Sequence, residues 1–172
     1  AGMMRLLVDA GADANKQDKN GSTALMRAAG SGREHGAGMM RLLVDAGADA
    51  NKQDKNGSTA LMRAAGSGRE HGAGMMRLLV DAGADANKQD GDGLTALMWA
   101  AMNGHAGVAS ALLERGAVVD KADETGRTAL MRAAMQGHAG VASALLERGA
   151  EVDKADEWGS TALMEAASHG HE

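Results

Sequence analysis

Residues 1–36 and 37–72 are identical, letter for letter. A chain that writes the same block twice must give that block two equivalent environments, and stacked units supply these where a single closed core does not. A third copy begins at Ala73 and holds through Asp90 before the sequence diverges. The segment Thr-Ala-Leu-Met recurs at Thr23, Thr59, Thr95, Thr128 and Thr161, with spacings of 36, 36, 33 and 33. A Gly-Ala pair keeps step at Gly11, Gly47, Gly83, Gly116 and Gly149. The chain therefore reads as one domain, 1–172, of five units: 1–36, 37–72, 73–105, 106–138 and 139–171.

Within a unit, Met3, Leu6, Leu7 and Ala10 follow the i, i+3, i+4, i+7 spacing of a helix face, and Met4 and Val8 widen the stripe. Gly11 ends this long helix. A shorter helix starts after Thr23, whose hydroxyl suits an N-cap, with Leu25, Ala28 and Ala29 as its apolar edge. The polar stretch between them carries an Asn-Gly turn signal at Asn20-Gly21, which predicts a short β-hairpin finger. The expected fold is all-α, a solenoid of helix pairs with short β-hairpin fingers. The glycines recur because turns recur. In the first two units the link between short and long helix is three residues longer than in the others, so protruding loops are expected at 30–36 and 66–72.

Composition narrows function by exclusion. The 18 Lys and Arg against 23 Asp and Glu leave a charge of −5, the wrong sign for a general binder of nucleic acid or anionic membrane. Cysteine is absent, which removes thiol catalysis and Cys-ligated zinc. No apolar run approaches a membrane span and no leader pattern opens the sequence, so a natural chain of this kind is expected in the cytoplasm. His105 and His138 hold the same place in adjacent units, roughly 10 Å apart by helix packing, too far to share an ion. They are expected to link helices. The Arg-Glu-His triplets at 33–35 and 69–71 read as solvated loop, and His169 and His171 as a frayed tail. No phosphate cradle, nucleophile elbow or metal-protease motif is present, so neither an enzyme nor a cofactor or metal site is expected.

Asp123, Gly126, Thr128, Leu130, Ala133, Ala134, Gly137, His138, Leu145, Leu146, Gly149 and Ala150 together resemble the ankyrin repeat, and the resemblance covers the whole chain. It departs systematically at two places. The family's Pro is Ala at 24, 60, 96, 129 and 162, and its His is Met at 26, 62, 98, 131 and 164. The Gly-Ser-Thr-Ala-Leu-Met wording is similar to repeats of the Kank family of cytoskeletal adaptors. Two identical 36-residue blocks also point to an engineered or chimeric chain.

Positions that every unit shares define the stack, whereas positions that break the repeat are free for another task. The resemblance places Leu94, Trp99, Met102, Arg127, Arg132, Met135 and Trp158 on the finger tips and concave face that, in this family, grip partner proteins. Trp and Arg are also the residues that dominate interface hot spots. The expected function is therefore a non-enzymatic protein-binding scaffold. Two alternatives stand beside it: a structural, self-assembling repeat with no partner, and a fragment of a natural cytoskeletal adaptor. Self-assembly would run head to tail, through residues 1–10 of one chain and 161–167 of the next.

Overall fold

The computed structural model describes residues 2–31, 36–67 and 72–172. Within them lie ten helices, alternating long and short: α1 (Gly2–Asp9), α2 (Ala24–Ser31), α3 (Gly36–Asp45), α4 (Ala60–Ser67), α5 (Gly72–Asp81), α6 (Ala96–Met102), α7 (Ala106–Glu114), α8 (Ala129–Met135), α9 (Ala139–Glu147) and α10 (Ala162–Ser168). The short helices α2, α4, α6, α8 and α10 pack each on the next in one row. The long helices from α3 to α9 form a second row, and each packs on the short helix before it. None of these helices is long and apolar enough to cross a membrane.

The short helices form because threonine caps them. Thr95 is extended, and its hydroxyl accepts the amide of Met98 at 3.3 Å. The cap recurs at Thr23, Thr59, Thr128 and Thr161. The methionine that stands where the resembling family has His does more than fill space: in the first two units its sulfur accepts the threonine amide, at 3.5 Å for Met26 and 3.4 Å for Met62. Behind the caps, the alanine pairs Ala64-Ala65 and Ala100-Ala101 are fully buried. Side chains that small let neighbouring short helices approach closely, and Leu61, Met76, Leu79, Leu97 and Leu112 fill the space between the two rows.

The fingers are turns. Among the described residues there is no strand, which corrects the expected hairpins. An aspartate at the base of each finger closes it: Asp18 Oδ1 accepts the amides of Asn20 at 2.8 Å and Ser22 at 2.9 Å, while Asp18 N donates to Ser22 O. This Asx turn uses up the polar groups a strand ladder would need. Adjacent fingers are then tied by single backbone bonds, from Lys55 N to Asn20 O, Gly91 N to Asn56 O and Glu157 N to Thr125 O.

Histidine links the units. His105 Nε2 lies 3.3 Å from Gly66 O, and His138 Nε2 lies 3.2 Å from Met102 O. Each ring thereby meets a carbonyl at the end of the previous short helix, one of the groups a helix leaves unpaired. His171, read from sequence as a frayed tail, makes the same link to Met135 O at 3.1 Å. The expected loops fall largely on 32–35 and 68–71, which lie outside the described residues, as do both Arg-Glu-His triplets; Gly30, Ser31, Gly36, Gly66, Ser67 and Gly72 are helical.

Two amide ladders were not anticipated. Asn15, Asn51 and Asn87 each donate to the carbonyl of the next unit's helix-ending glycine, and each accepts an amide two residues beyond it. Gln17, Gln53 and Gln89 each bridge their own finger to the next one. Both ladders stop where the sequence changes to Asp120 and Ala122. Asp120 accepts the Glu151 amide but has no hydrogen to donate onward.

Candidate functional site

Each short helix presents one residue to the base of its own finger, nine positions after the finger aspartate. These residues are Arg27, Arg63, Trp99, Arg132 and Glu165. Arg27 Nη2 donates to Asp18 Oδ2 at 2.5 Å and Arg63 Nη2 to Asp54 Oδ2 at 2.6 Å. In the third unit the indole Nε1 of Trp99 donates to Asp90 Oδ2 at 2.9 Å, taking the arginine's place. Arg132 holds Asp123 through both Nε and Nη2. Hydrogen bonds to an ionised carboxylate favour the charged form, so the Arg27 guanidinium and the Ser22 and Asn20 amides hold Asp18 down at about 2. At Asp54 burial pushes the carboxyl up, but Arg63 and the amides of Ser58 and Asn56 outweigh it and the net shift is downward. Asp123 behaves alike, with burial raising it and Arg132, the Thr125 hydroxyl and the finger amides lowering it further.

The fifth unit breaks the pattern, because Glu165 is an acid facing the Asp156 acid. Arg127, from the preceding finger, resolves the conflict. Its Nε lies 3.2 Å from Asp156 Oδ2 and its Nη2 lies 3.5 Å from Glu165 Oε1. Its guanidinium carbon also sits 5.1 Å from the centre of the Trp158 ring, within cation–π range. Asp156 feels burial upward and the Ser160 amide, Arg127 and the Trp158 amide downward, and the downward pull wins.

Between the fingers and the short helices runs a groove. One pocket in it, about 420 Å³, is bounded by Gly30, Met62, Arg63, Gly66, Trp99 and Asn103. A second, about 630 Å³ and more polar, lies toward the first unit against Asp18, Asn20, Arg27 and Lys55. The two share Asp54, Asn56 and Arg63. Arg63 Nη2 also donates to Ser22 Oγ at 3.0 Å, while its Nε is buried and lacks a partner among the described residues.

The residues singled out from sequence fall in different places. Trp99 forms a wall of the groove, half-buried. Leu94 is 6% exposed and packs in the core. Met102 and Met135 are half-buried on the short helices. Arg127 and Arg132 are committed to the aspartates named above, and Trp158 is 65% exposed on the last finger. Sequence reasoning missed Gly30, Gly66 and Arg63 as groove residues. The available signal was register: Gly30 and Gly66 align with Met102 and Met135, a change no helix requires. Among the described residues no three His, Asp or Glu side chains come close enough together to hold a metal ion.

A family model of ankyrin repeats matches the chain in three copies, over residues 1–74, 70–156 and 120–172. A search of curated proteins finds none that matches.

Proposed function

The chain belongs to the ankyrin repeat family, whose repeats are generally protein-interaction modules, and from that membership we propose that it is a non-enzymatic binding scaffold which takes a partner protein along its concave face. The observation that supports this most is the groove between fingers and short helices, with Trp99 in its wall and unit-specific residues along it. Met102, Arg127, Arg132, Met135 and Trp158 complete the proposed surface, with Leu94 in the core beneath it. Trp99 supplies ring area with its polar end already satisfied by Asp90, and Trp158 is held in place by Arg127, so both are preorganised as anchors. The test is capture of partners from a lysate by the chain and by a Trp99→Ala, Trp158→Ala variant of unchanged helicity. Loss of the captured proteins in the variant supports the surface, and undiminished capture refutes it.

A second reading concerns the 172-residue chain as a molecule by itself, joined head to tail through residues 1–10 and 161–167. Met3, Leu6 and Leu7 of α1 are 71, 66 and 54% exposed, and Leu163 and Met164 of α10 are 74 and 57% exposed. Inside the chain α4 and α5, whose sequences are close to those of α10 and α1, pack together. Charge favours the same contact, since residues 139–172 carry seven acids against two bases and residues 1–36 carry four against five. A sedimentation coefficient that rises with concentration and no longer does so once residues 1–17 are deleted supports it; a constant monomer refutes it. The identity of the first two 36-residue blocks supports an engineered or chimeric origin. Different synonymous codons in the two blocks would favour design, and identical codons a recent duplication in a natural adaptor.

A further inference from the structure

Gly30 and Gly66 occupy the last turn of α2 and α4, where glycine is the poorest helix former after proline. Neither has a positive φ, so the backbone does not ask for glycine. Nor is the space occupied: a Cβ on Gly66 would lie 3.5 Å from the Trp99 ring and 3.9 Å from Asn103 Nδ2, and one on Gly30 would lie 3.7 Å from Arg63 Cβ, all ordinary contacts. In α6 and α8 the same register holds Met102 and Met135, so there the chain fills the position with its own unbranched apolar side chain. Where the methionine is missing, the 420 Å³ pocket opens.

The second pocket, which adjoins it toward the first unit, is polar and has the cations Arg27 and Lys55 in its lining. The side chain of Arg27 is 68% exposed even when paired with Asp18. Exposed Lys19 and Lys55 follow the finger aspartate in the first two units, where the third has Gly91 and the last two have Glu124 and Glu157. The aspartates inside the groove, Asp18 and Asp54, are already neutralised by Arg27 and Arg63. The exposed cations are thus left to face outward.

We propose that the pocket over Gly66, walled by Trp99 and Arg63, seats one apolar side chain, methionine or leucine, carried on an extended acidic segment of the partner protein. The inference rests on the scaffold reading above and adds to it the site and the chemistry of the partner. The apolar side chain takes the place that Met102 and Met135 fill elsewhere and gains the Trp99 face. Acidic residues on the side toward the first unit meet Arg27, Lys19 and Lys55, which steers the segment into the groove and sets its direction.

The experiment selects short displayed peptides on the full chain and measures binding of the resulting synthetic peptide to the wild type, Gly66→Met and Gly66→Ala. The expected consensus is a single Met or Leu with Asp or Glu on one side of it. Its binding should perturb the Trp99 indole N–H and the Gly66 amide in nuclear magnetic resonance spectra. Affinity should fall at least about tenfold in Gly66→Met and less in Gly66→Ala, since losing the burial of one such side chain is worth at least that factor. Both changes raise helix propensity, and an unaltered melting curve confirms the fold; were Gly66→Met to unfold, Gly30→Met and Gly66→Ala carry the test. A basic or patternless consensus, equal affinity for Gly66→Met, or no selected peptide overturns the pocket. Protein capture that survives Gly66→Met but is lost with the two tryptophans overturns the pocket and leaves the scaffold standing, whereas capture indifferent to all three overturns the concave-face reading itself.

Discussion

Trp99 donates its indole N–H to Asp90 in the position where Arg27 and Arg63 donate to Asp18 and Asp54. The finger's closure is thereby kept while a guanidinium is exchanged for a flat apolar face. The exchange is the point at which the stack's own bonding and its groove meet in one side chain.

If that bond matters, Trp99→Phe should destabilise the chain by about 1 kcal/mol, the net worth of a hydrogen bond to a half-buried carboxylate. Trp99→Arg should recover most of the loss by restoring the pair found in three other units. Urea midpoints at unchanged m-value report both. A Phe variant as stable as the wild type would show that Asp90 finds its partner in water.

The Arg127 cluster makes a sharper prediction. Arg127→Met leaves two buried acids, Asp156 and Glu165, facing each other without the cation that separates them. Tm should fall by several degrees. Glu165→Arg in that background places an arginine at the register of Arg27, Arg63 and Arg132, and should return most of the loss. Failure of this rescue would mean that Arg127 stabilises chiefly by covering Trp158.

The amide ladder can be cut at one rung. Asn51→Ala removes the bond donated to Gly83 O and the one accepted from Asp85 N, both 2.8 Å, for a loss of about 1 kcal/mol. Asn51→Asp should lose less, because a carboxylate still accepts the Asp85 amide, as Asp120 does for Glu151. Hydrogen exchange at the Asp85 amide should speed up in the alanine variant and much less in the aspartate one.

Acid should loosen the fingers. Asp18, Asp54, Asp123 and Asp156 all titrate below the ordinary carboxylate value in the folded chain. A depressed folded pKa means that the unfolded chain binds protons first as pH falls. Their contribution is therefore complete above about pH 5 and is lost as pH drops through 4 toward the folded values, with Asp18 at about 2. Urea midpoints should fall steeply between pH 5 and 3, and Arg63→Met should flatten that slope by letting Asp54 titrate nearer its unfolded value. A slope unchanged by Arg63→Met would assign the acid sensitivity elsewhere.

The helices were legible because their signals are periodic: Thr-Ala-Leu-Met returns every 36 or 33 residues, and Met3, Leu6, Leu7 and Ala10 trace one helix face. The finger was misread because Asn20-Gly21 marks a hairpin and also completes an Asx turn, and only the placement of Asp18 Oδ1 decides between them. Gly30 and Gly66 were passed over as turn glycines, although they lie within helices. The bonds of Arg127 were out of reach for a different reason. They run to Asp156 and Glu165 in the next unit, and nothing in the spacing tells whether an exposed-looking arginine turns outward or into its neighbour.

Two glycines separate backbone strain from the histidine link. Gly83 has φ +86° with nothing near a Cβ built on it, so Gly83→Ala should cost about 1–2 kcal/mol from the left-handed conformation alone. Gly104 has φ +75°, and its Cβ would lie 2.8 Å from His138 Nδ1. Gly104→Ala therefore adds to the same strain the displacement of a ring whose Nε2 lies 3.2 Å from Met102 O. The excess over Gly83→Ala should be about 1 kcal/mol, the value of that link. Adding His138→Ala removes both clash and link, so Gly104→Ala should then cost no more than Gly83→Ala. A double-mutant cycle reads this coupling directly, and an excess that persists without the His138 ring would place the penalty in the backbone.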